Sequence, residues 1–340
     1  MKKFIFLIFC FFSAVSHLAY ALDVGIGIHP QGFPGTPEQI IAELRKYKFS
    51  TFRTDYPWGQ VEKQKGTYQP VGGKIEKTIE LAKKNNIQPL IIYDYGNNLY
   101  EPQTSQNPLS KPTSLASIDA FVNYVSWSTK HLKSNVSMFE IWNEWIQMAG
   151  KANRSDALGQ ESAKIYADMT IKSCRAIKKI NPQAIVLAGS TSPLDDLSNQ
   201  WLIQVINYGV LNCVDGISLH GYRYAYNQRL DYHPIISSIK DLQLKLKFLN
   251  NGKPIPFYIT EAGVPNIKKS IYSLQDSADF FTGYVDELSK LNYIKGIWWY
   301  DLVNDGIDPN DNESNFGILN RDLSPKPIAL KFADTIKKYK

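Results

Sequence analysis

Hydrophobic and polar positions follow two alternating patterns along this chain. Short, nearly continuous apolar runs are separated by longer segments in which apolar residues recur at helical spacing. The short runs are typical of strands buried on both faces, and the longer segments are typical of amphipathic helices. The strands predicted in this way are Asp23–Ile28, Thr51–Asp55, Gln88–Tyr93, Ser137–Asn143, Ala184–Ala188, Gly216–Leu219, Pro256–Thr260 and Gly296–Tyr300.

The segments between these strands predict helices with recognisable ends. Thr36 before Pro37 offers an N-cap followed by proline at the first helical position. Asn85-Asn86 and Asn250-Asn251-Gly252 are typical of helix ends. The predicted helices are Thr36–Tyr47, Ile75–Lys84, Ser117–Leu132, Ala163–Ile180, Gln200–Tyr208, Ser237–Leu249, Ser277–Leu291 and Pro327–Lys338.

The regular alternation of strand and helix predicts the fold class. Strands that alternate with helices favour parallel βαβ units, and eight such units favour a closed (β/α)₈ TIM barrel. The 340 residues exceed the roughly 250 of a typical barrel, which indicates long loops. An open doubly wound sheet is the alternative, but a chain of this length would then usually divide into two domains, and no linker is evident. We therefore expect an α/β fold with one barrel domain.

The first residues have the pattern of a targeting segment. Lys2 and Lys3 precede an apolar run, and Ala19-Tyr20-Ala21 supplies small residues for cleavage. We expect residues 1–21 to be a signal peptide and residues 22–340 to form the barrel, in a secreted or periplasmic protein without a membrane segment after signal removal. An uncleaved anchor is the alternative, but the run is short for one.

Composition and charge narrow the function classes. The 44% hydrophobic and 21% charged content is that of a globular domain. The formal charge of +6 is mild, and the lysines are dispersed, so we expect no nucleic acid partner, although weak attraction to an acidic polymer stays open. Cys174 and Cys213 would either form a disulfide in an exported protein or remain buried thiols.

Two glutamates stand at the ends of predicted strands. Glu144 follows the fourth strand and Glu261 follows the seventh. A charge at the end of a buried strand is costly unless it is paired or used. Active sites of (β/α)₈ barrels form at the carboxyl ends of the strands, and a pair of carboxylates is the usual equipment for cleaving a glycosidic bond. The two side chains are therefore the candidate catalytic pair.

Motifs of other chemistries are missing from the sequence. Gly25-x-Gly27 lacks the third glycine of a dinucleotide fingerprint because Pro30 occupies its place. There is no Gly-x-Ser-x-Gly elbow and no His-Glu-x-x-His zinc motif. We therefore expect an enzyme that needs no cofactor and no metal.

Several short motifs resemble a known group of enzymes over nearly the whole mature chain. Trp142-Asn143-Glu144 and Ile259-Thr260-Glu261 resemble the strand-four and strand-seven signatures of clan GH-A glycoside hydrolases. The segments 51–58, 299–301 and 315–319 are similar to glycoside hydrolase family 39 and its relatives that act as endoglycosidases on biofilm exopolysaccharide.

The resemblance implies a retaining mechanism with separate roles for the two glutamates. Glu144 would be the acid/base and Glu261 the nucleophile, while Asn143 would hydrogen-bond the 2-hydroxyl of the sugar. Glu140, which shares the parity of Glu144 along its strand, is expected to be a hydrogen-bonded structural acid.

The resemblance also implies supporting and substrate-binding residues. Arg53 would keep Glu261 ionised, and His220 and Tyr222 would orient it, although all three could instead be structural. Trp298 and Tyr300 share one face of the eighth strand by alternation and are candidates for the aromatic surface on which a sugar stacks.

The same resemblance implies a carbohydrate substrate, and we expect a monomeric enzyme. An endo-acting hydrolase of bacterial exopolysaccharide is the favoured reading, since the accessory β-sandwich of several exo-acting members is not evident in the sequence. The alternatives are an exo-acting enzyme similar to β-xylosidases, a transglycosylase, and a carbohydrate-binding barrel without catalysis.

Overall fold

Eight parallel strands form a closed barrel in which each strand pairs with the next and β8 pairs with β1. The structure, a computed structural model, describes residues 22–105, 107–146 and 154–339. The strands are β1 Asp23–Gly27, β2 Thr51–Asp55, β3 Gln88–Tyr93, β4 Met138–Ile141, β5 Ile185–Thr191, β6 Gly216–His220, β7 Phe257–Ala262 and β8 Ile294–Trp299. The predicted (β/α)₈ barrel is confirmed, and the signal peptide expected at 1–21 lies outside the described residues.

Helices follow the strands and cover the outside of the barrel. They are α1 Pro37–Lys46, α2 Trp58–Val61, α3 Gly73–Lys84, α4 Leu115–Leu132, α5 Arg154–Ala157, α6 Gln160–Ile180, α7 Asp196–Asn207, α8 His233–Leu249, α9 Leu274–Ser289 and α10 Pro327–Tyr339. The side chain of Thr36 caps α1 by accepting from the backbone of Gln39 at 3.3 Å. Asn86 and Asn251 adopt φ values of 55° and 51° just after α3 and α8, a conformation that asparagine tolerates well. The asparagine signals therefore mark the helix ends correctly.

Apolar side chains fill the amino-terminal part of the barrel interior. The indole of Trp298 occupies space left by two glycines, since a Cβ atom on Gly25 or Gly296 would lie 2.4 or 2.5 Å from it. Its Nε1 donates to Oγ1 of Thr51 at 3.1 Å. The layer consists of Leu90, Met138, Leu187, Tyr258 and Trp298. This packing closes the floor of the barrel and leaves the polar side chains near its carboxyl end.

A disulfide joins α6 to the segment before β6. Cys174 and Cys213 are bonded, with their Cα atoms 6.1 Å apart. Of the two expectations for these cysteines, the disulfide is therefore the correct one. Among the described helices, none combines the length and apolar character needed to cross a bilayer.

Candidate active site

A cleft of about 450 Å³ opens at the carboxyl ends of the strands. Six of the eight predicted site residues line it: Arg53, Asn143, Glu144, Tyr222, Glu261 and Tyr300. It is also lined by residues that the sequence did not single out, including His29, Asp55, Tyr95 and Glu313. The cleft is thus polar, and it lies where barrel enzymes carry their active sites.

Backbone conformation lifts Asn143 and Glu144 out of the strand. β4 ends at Ile141, two residues earlier than predicted, because Trp142 and Glu144 adopt φ values of 65° and 50°. Non-glycine residues rarely adopt positive φ, and such strain is concentrated at functional sites. The ring of Trp142 is buried, and the backbone N–H of Trp142 donates to the carbonyl of Tyr93 at 2.9 Å. These contacts hold the turn in place.

Glu261 lies within β7 and is only 9% exposed. An amino group of Arg53 (Nη1) donates to Oε1 of Glu261 at 2.6 Å, and the hydroxyl of Tyr222 donates to Oε2 at 2.7 Å. Burial alone would raise the pKa of Glu261, but the charges of His220 and Arg53 and the two hydrogen bonds lower the pKa below its ordinary value. This carboxyl group is therefore held ionised.

The two glutamates approach each other closely across the cleft. One oxygen of Glu144, one oxygen of Glu261 and a ring nitrogen of His220 all lie within 4.8 Å of one another. Carboxyl groups about 5–5.5 Å apart are typical of retaining glycosidases, while inverting enzymes need roughly 6.5–9.5 Å to admit a water. The geometry favours direct attack by a carboxylate.

The imidazole of His220 lies between both carboxylates. Its Nδ1 is 2.8 Å from Oε1 of Glu144 and 3.5 Å from Oε2 of Glu261. The expectation that His220 orients Glu261 is therefore corrected, since its hydrogen bond is to Glu144. His220 pairs with Glu261 in the strand register, and a bulge just before it accompanies this reach across the barrel. Tyr222, by contrast, bonds Glu261 as expected.

Arg53 connects three acidic or amide groups near the top of the barrel interior. Its Nε donates to Glu140 at 2.7 Å and its Nη2 donates to Oδ1 of Asn143 at 2.9 Å, in addition to the bond to Glu261. Glu140 is fully buried and also accepts from Ser190 at 2.7 Å. Glu140 is thus the hydrogen-bonded structural acid expected from its position.

Tyr95 is a site residue that the sequence did not reveal. Nδ2 of Asn143 donates to the hydroxyl of Tyr95 at 3.0 Å, while Oδ1 of Asn143 accepts from Arg53. The amide therefore has one orientation, and its remaining N–H is available to a ligand. Tyr95 lies just beyond the end of β3, and a tyrosine in a loop gives no local signal of such a role.

The two aromatic candidates, Trp298 within β8 and Tyr300 just after it, have different positions. Tyr300 lines the cleft, with its ring 5.5 Å from that of His29 and its hydroxyl 3.2 Å from Oδ2 of Asp305. Trp298 does not line the cleft and is fully buried in the apolar floor layer. The expectation that Trp298 binds substrate is therefore wrong, because alternation gives the face of a strand and not the depth within the barrel.

His29, at the end of β1, is a second cation beside the cleft. Burial alone would lower its pKa, but the hydrogen bond that Nδ1 of His29 donates to Asp305 and the charges of Asp301, Asp305 and Asp55 raise the pKa to about 10. Asp55 lines the same wall, and burial raises the pKa of its carboxyl. A single histidine before a loop is a weak sequence signal, which is why reasoning from motifs missed it.

Two groups of side chains bring metal-ligating atoms together. They are His29 with Asp301 and Asp305, and Glu144 with His220 and Glu261. In the first group, Nδ1 of His29 donates to Asp305 at 3.0 Å and the pKa of His29 is raised, so a metal would have to displace a proton from the ring. In the second, hydrogen bonds from Arg53, Tyr222 and His220 already engage the carboxylates.

Replacing Tyr222 with Phe should move the acid limb of the pH–rate profile. Because the pKa of Glu261 lies below its ordinary value of 4.5, the wild-type kcat/KM should fall only below about pH 4.5. Loss of the Tyr222 hydroxyl removes a hydrogen bond that favours the carboxylate, so activity should be lost at higher pH than in the wild type. The profile of kcat/KM checks this, with Tyr224→Phe as control; coincident acid limbs would contradict it.

The closed barrel and the two carboxylates at the ends of β4 and β7 have the arrangement of clan GH-A of the glycoside hydrolases. A family model described as cellulase (glycosyl hydrolase family 5) matches residues 25–301. The chain belongs to this family. No curated protein matches the sequence significantly.

Solved structures share the fold at low sequence identity. A family 39 glycoside hydrolase from the gut symbiont Bacteroides cellulosilyticus WH2 is 23% identical, with a TM-score of 0.76 over 94% of this chain and 64% of that enzyme. The GH39 enzyme from Xanthomonas axonopodis pv. citri is 16% identical, with a TM-score of 0.69 over 92% and 65%. A monomeric beta-xylosidase from Caulobacter crescentus CB15 is 17% identical, with a TM-score of 0.67 over 92% and 67%.

The comparisons confirm the clan predicted from the sequence. The family model is that of family 5, and enzymes of family 39 are among the similar structures. This chain spans less than two thirds of the length of the first two of those enzymes.

Proposed function

We propose that this protein is a retaining glycoside hydrolase in which Glu261 is the nucleophile and Glu144 is the acid/base. The observation that carries the proposal is the approach of their oxygens to within 4.8 Å at the floor of the cleft. The different surroundings of the two groups support this division of roles. Glu261 is ionised by Arg53 and Tyr222, whereas the side chain of Glu144 is 20% exposed and, among the residues that the structure describes, pairs with the cation of His220 alone.

The reaction has two steps, and Glu144 transfers one proton in each of them. In the first, a carboxylate oxygen of Glu261 bonds to the anomeric carbon as the glycosidic C–O bond breaks, and Glu144 gives its proton to the leaving oxygen. In the second, Glu144 takes a proton from water, whose oxygen bonds to the anomeric carbon as the bond to Glu261 breaks. The remaining N–H of Asn143 would donate to the 2-hydroxyl of the sugar.

The substrate of the proposed reaction is an oligo- or polysaccharide, cleaved within the chain. The cleft of about 450 Å³ at the barrel face supports binding of a saccharide, and internal cleavage of a bacterial exopolysaccharide is favoured because of the sequence resemblance described above. We further propose that the enzyme is exported by its first 21 residues and acts as a monomer in the periplasm or outside the cell. Incubation of the purified protein with exopolysaccharides, xylans and mannans, followed by mass spectrometry of the products, tests this assignment. Release of monosaccharides alone would contradict internal cleavage.

Replacing Glu144 with Ala should affect substrates according to their leaving groups. Aryl glycosides with acidic phenols need little protonation, so their turnover should fall far less than the roughly 10²–10⁴-fold expected for a substrate with a poor leaving group. Steady-state kinetics on both substrate types measure the difference. Equal losses on the two would contradict the acid role of Glu144.

The anomeric configuration of the product provides an independent check. Proton NMR of the product formed first should show the configuration of the substrate, because two displacements at one carbon restore it. Inversion would exclude the two-step reaction.

A further inference from the structure

A second cavity of about 460 Å³ adjoins the catalytic cleft. It lies between α2 and the loop that follows β3, and we call it the β3-loop groove, defined by Gly59, Lys63, Tyr95, Asn97 and Gln103. Tyr95 lines both this groove and the catalytic cleft. The two cavities therefore meet at one side chain, on the side of the site where Asn143 is held.

The floor of the β3-loop groove is built by tight internal contacts. The N–H of Gly96 donates to the carbonyl of Leu109 at 3.0 Å, and a Cβ atom on Gly96 would lie 1.8 Å from the carbonyl oxygen of Ser110. The buried side chain of Asn97 donates to the carbonyl of Glu62 at 2.8 Å and accepts from the N–H of Leu99 at 3.0 Å. The groove is therefore formed before any ligand binds, which lowers the entropic cost of binding.

The walls of the β3-loop groove offer polar groups and one aromatic ring. Gln103 donates to the carbonyl of Pro108 at 2.6 Å, which fixes its amide while the amide oxygen can still accept. The ammonium group of Lys63 has no hydrogen-bond or ion-pair partner among the residues described. Both side chains are exposed. The wall thus combines a fixed amide, an ammonium group and a tyrosine ring, which suits a ligand rich in hydroxyl groups. The volume of the groove is typical of small-molecule sites.

We propose that the β3-loop groove binds the sugar units of the substrate that lie next to the unit in the catalytic cleft. The proposal rests on the proposed glycosidase function and extends it, since it gives the enzyme a second binding region for the same saccharide chain. The adjacency of the two cavities at Tyr95, which lines both, is what identifies the occupant. A chain bound in both cavities gains affinity that a short glycoside cannot obtain.

Gly59 makes a direct test possible, because it lines the groove and the space around its Cα can hold a side chain. A Cβ atom there would meet only the carbonyl oxygen of Gly96, at 3.9 Å, and the position is exposed. Gly59→Trp should therefore fill the groove, while Gly59→Ala leaves it open and serves as the matched control. The probes are oligosaccharides of two to six units prepared from the polysaccharide that the wild type cleaves, together with an aryl monoglycoside.

The expected result is a dependence on substrate length. Gly59→Trp should reduce kcat/KM on the longest oligosaccharides by about tenfold or more, as expected for the loss of a few hydrogen bonds, and leave the aryl monoglycoside unchanged. Gly59→Ala should behave as the wild type on every probe. Equal kcat/KM of Gly59→Trp and wild type on the long chains, or equal loss on long and short substrates, would overturn the proposal.

A binding measurement keeps this test separate from the catalytic assignment. In a protein carrying Glu261→Gln, calorimetric affinity for the longest oligosaccharide should fall about tenfold when Gly59→Trp is added, whether or not Glu261 is the nucleophile. Unchanged affinity would overturn the groove proposal alone. A thermal melt of each variant shows that the fold is intact.

Discussion

Replacing Glu261 with Gln should reduce kcat by about 10⁴-fold or more while leaving the fold intact. The amide has nearly the same shape as the carboxylate and retains an oxygen for Arg53 or Tyr222, but it cannot attack the anomeric carbon. Initial rates on the best substrate measure the loss. Glu80→Gln on the exposed face of α3 is the matched control, and its rate should equal that of the wild type.

A second variant at the same position distinguishes a nucleophile from a structural acid. Glu261→Ala leaves space where the carboxylate stood, so added azide should attack the anomeric carbon and restore turnover of an aryl glycoside. Because only one displacement then occurs, the glycosyl azide should have inverted configuration. Near-wild-type activity of Glu261→Gln, or a retained azide product, would exclude the nucleophilic role.

Replacing Arg53 with Met should destabilise the protein as well as inactivate it. Arg53 and Glu140 are both buried, and removing one partner of a buried ion pair typically costs about 3–5 kcal/mol because the other charge is left unpaired. Glu261 would lose one of the two cations that lower its pKa and would keep the other, His220. Chemical denaturation measures the first effect and initial rates measure the second.

A double variant separates these two effects of Arg53. Adding Glu140→Gln to Arg53→Met removes the unpaired charge, so much of the lost stability should return. Activity should remain low, because Glu261 and Asn143 still lack their bonds to Arg53. Equal stability of the single and double variants would show that Glu140 is not the group that Arg53 compensates.

The fold could be read from the sequence because strand burial and helix spacing are local patterns. Each of the eight strands was found, with ends that differ by a few residues. The largest difference is at β5, which continues to Thr191, and β4 stops early, at Ile141. The early end of β4 depends on Trp142 adopting a left-handed conformation, which is set by tertiary packing and not by the preference of tryptophan.

The site was predictable only where a motif or a strand end marked it. Glu144, Glu261, Asn143 and Arg53 lie together as expected from their strands. Three-dimensional contacts decided the rest, since the hydrogen bond of His220 to Glu144 and the burial of Trp298 depend on distances across the barrel. Tyr95 acts through Asn143, and a residue whose partner is remote in sequence leaves no periodic pattern.

The closed ring of strands also separates the residues of the proposed chemistry from those of the proposed binding groove. Glu140, Arg53 and Glu261 belong to hydrogen-bonded strands and are tied to one another by short ion pairs. The loop after β3 contributes Tyr95 and one side of the β3-loop groove, and this loop lies outside the eight barrel strands. Grafting this loop from another barrel, with a tyrosine kept at position 95, should exchange the preferred polymer without changing the spacing of the catalytic carboxylates.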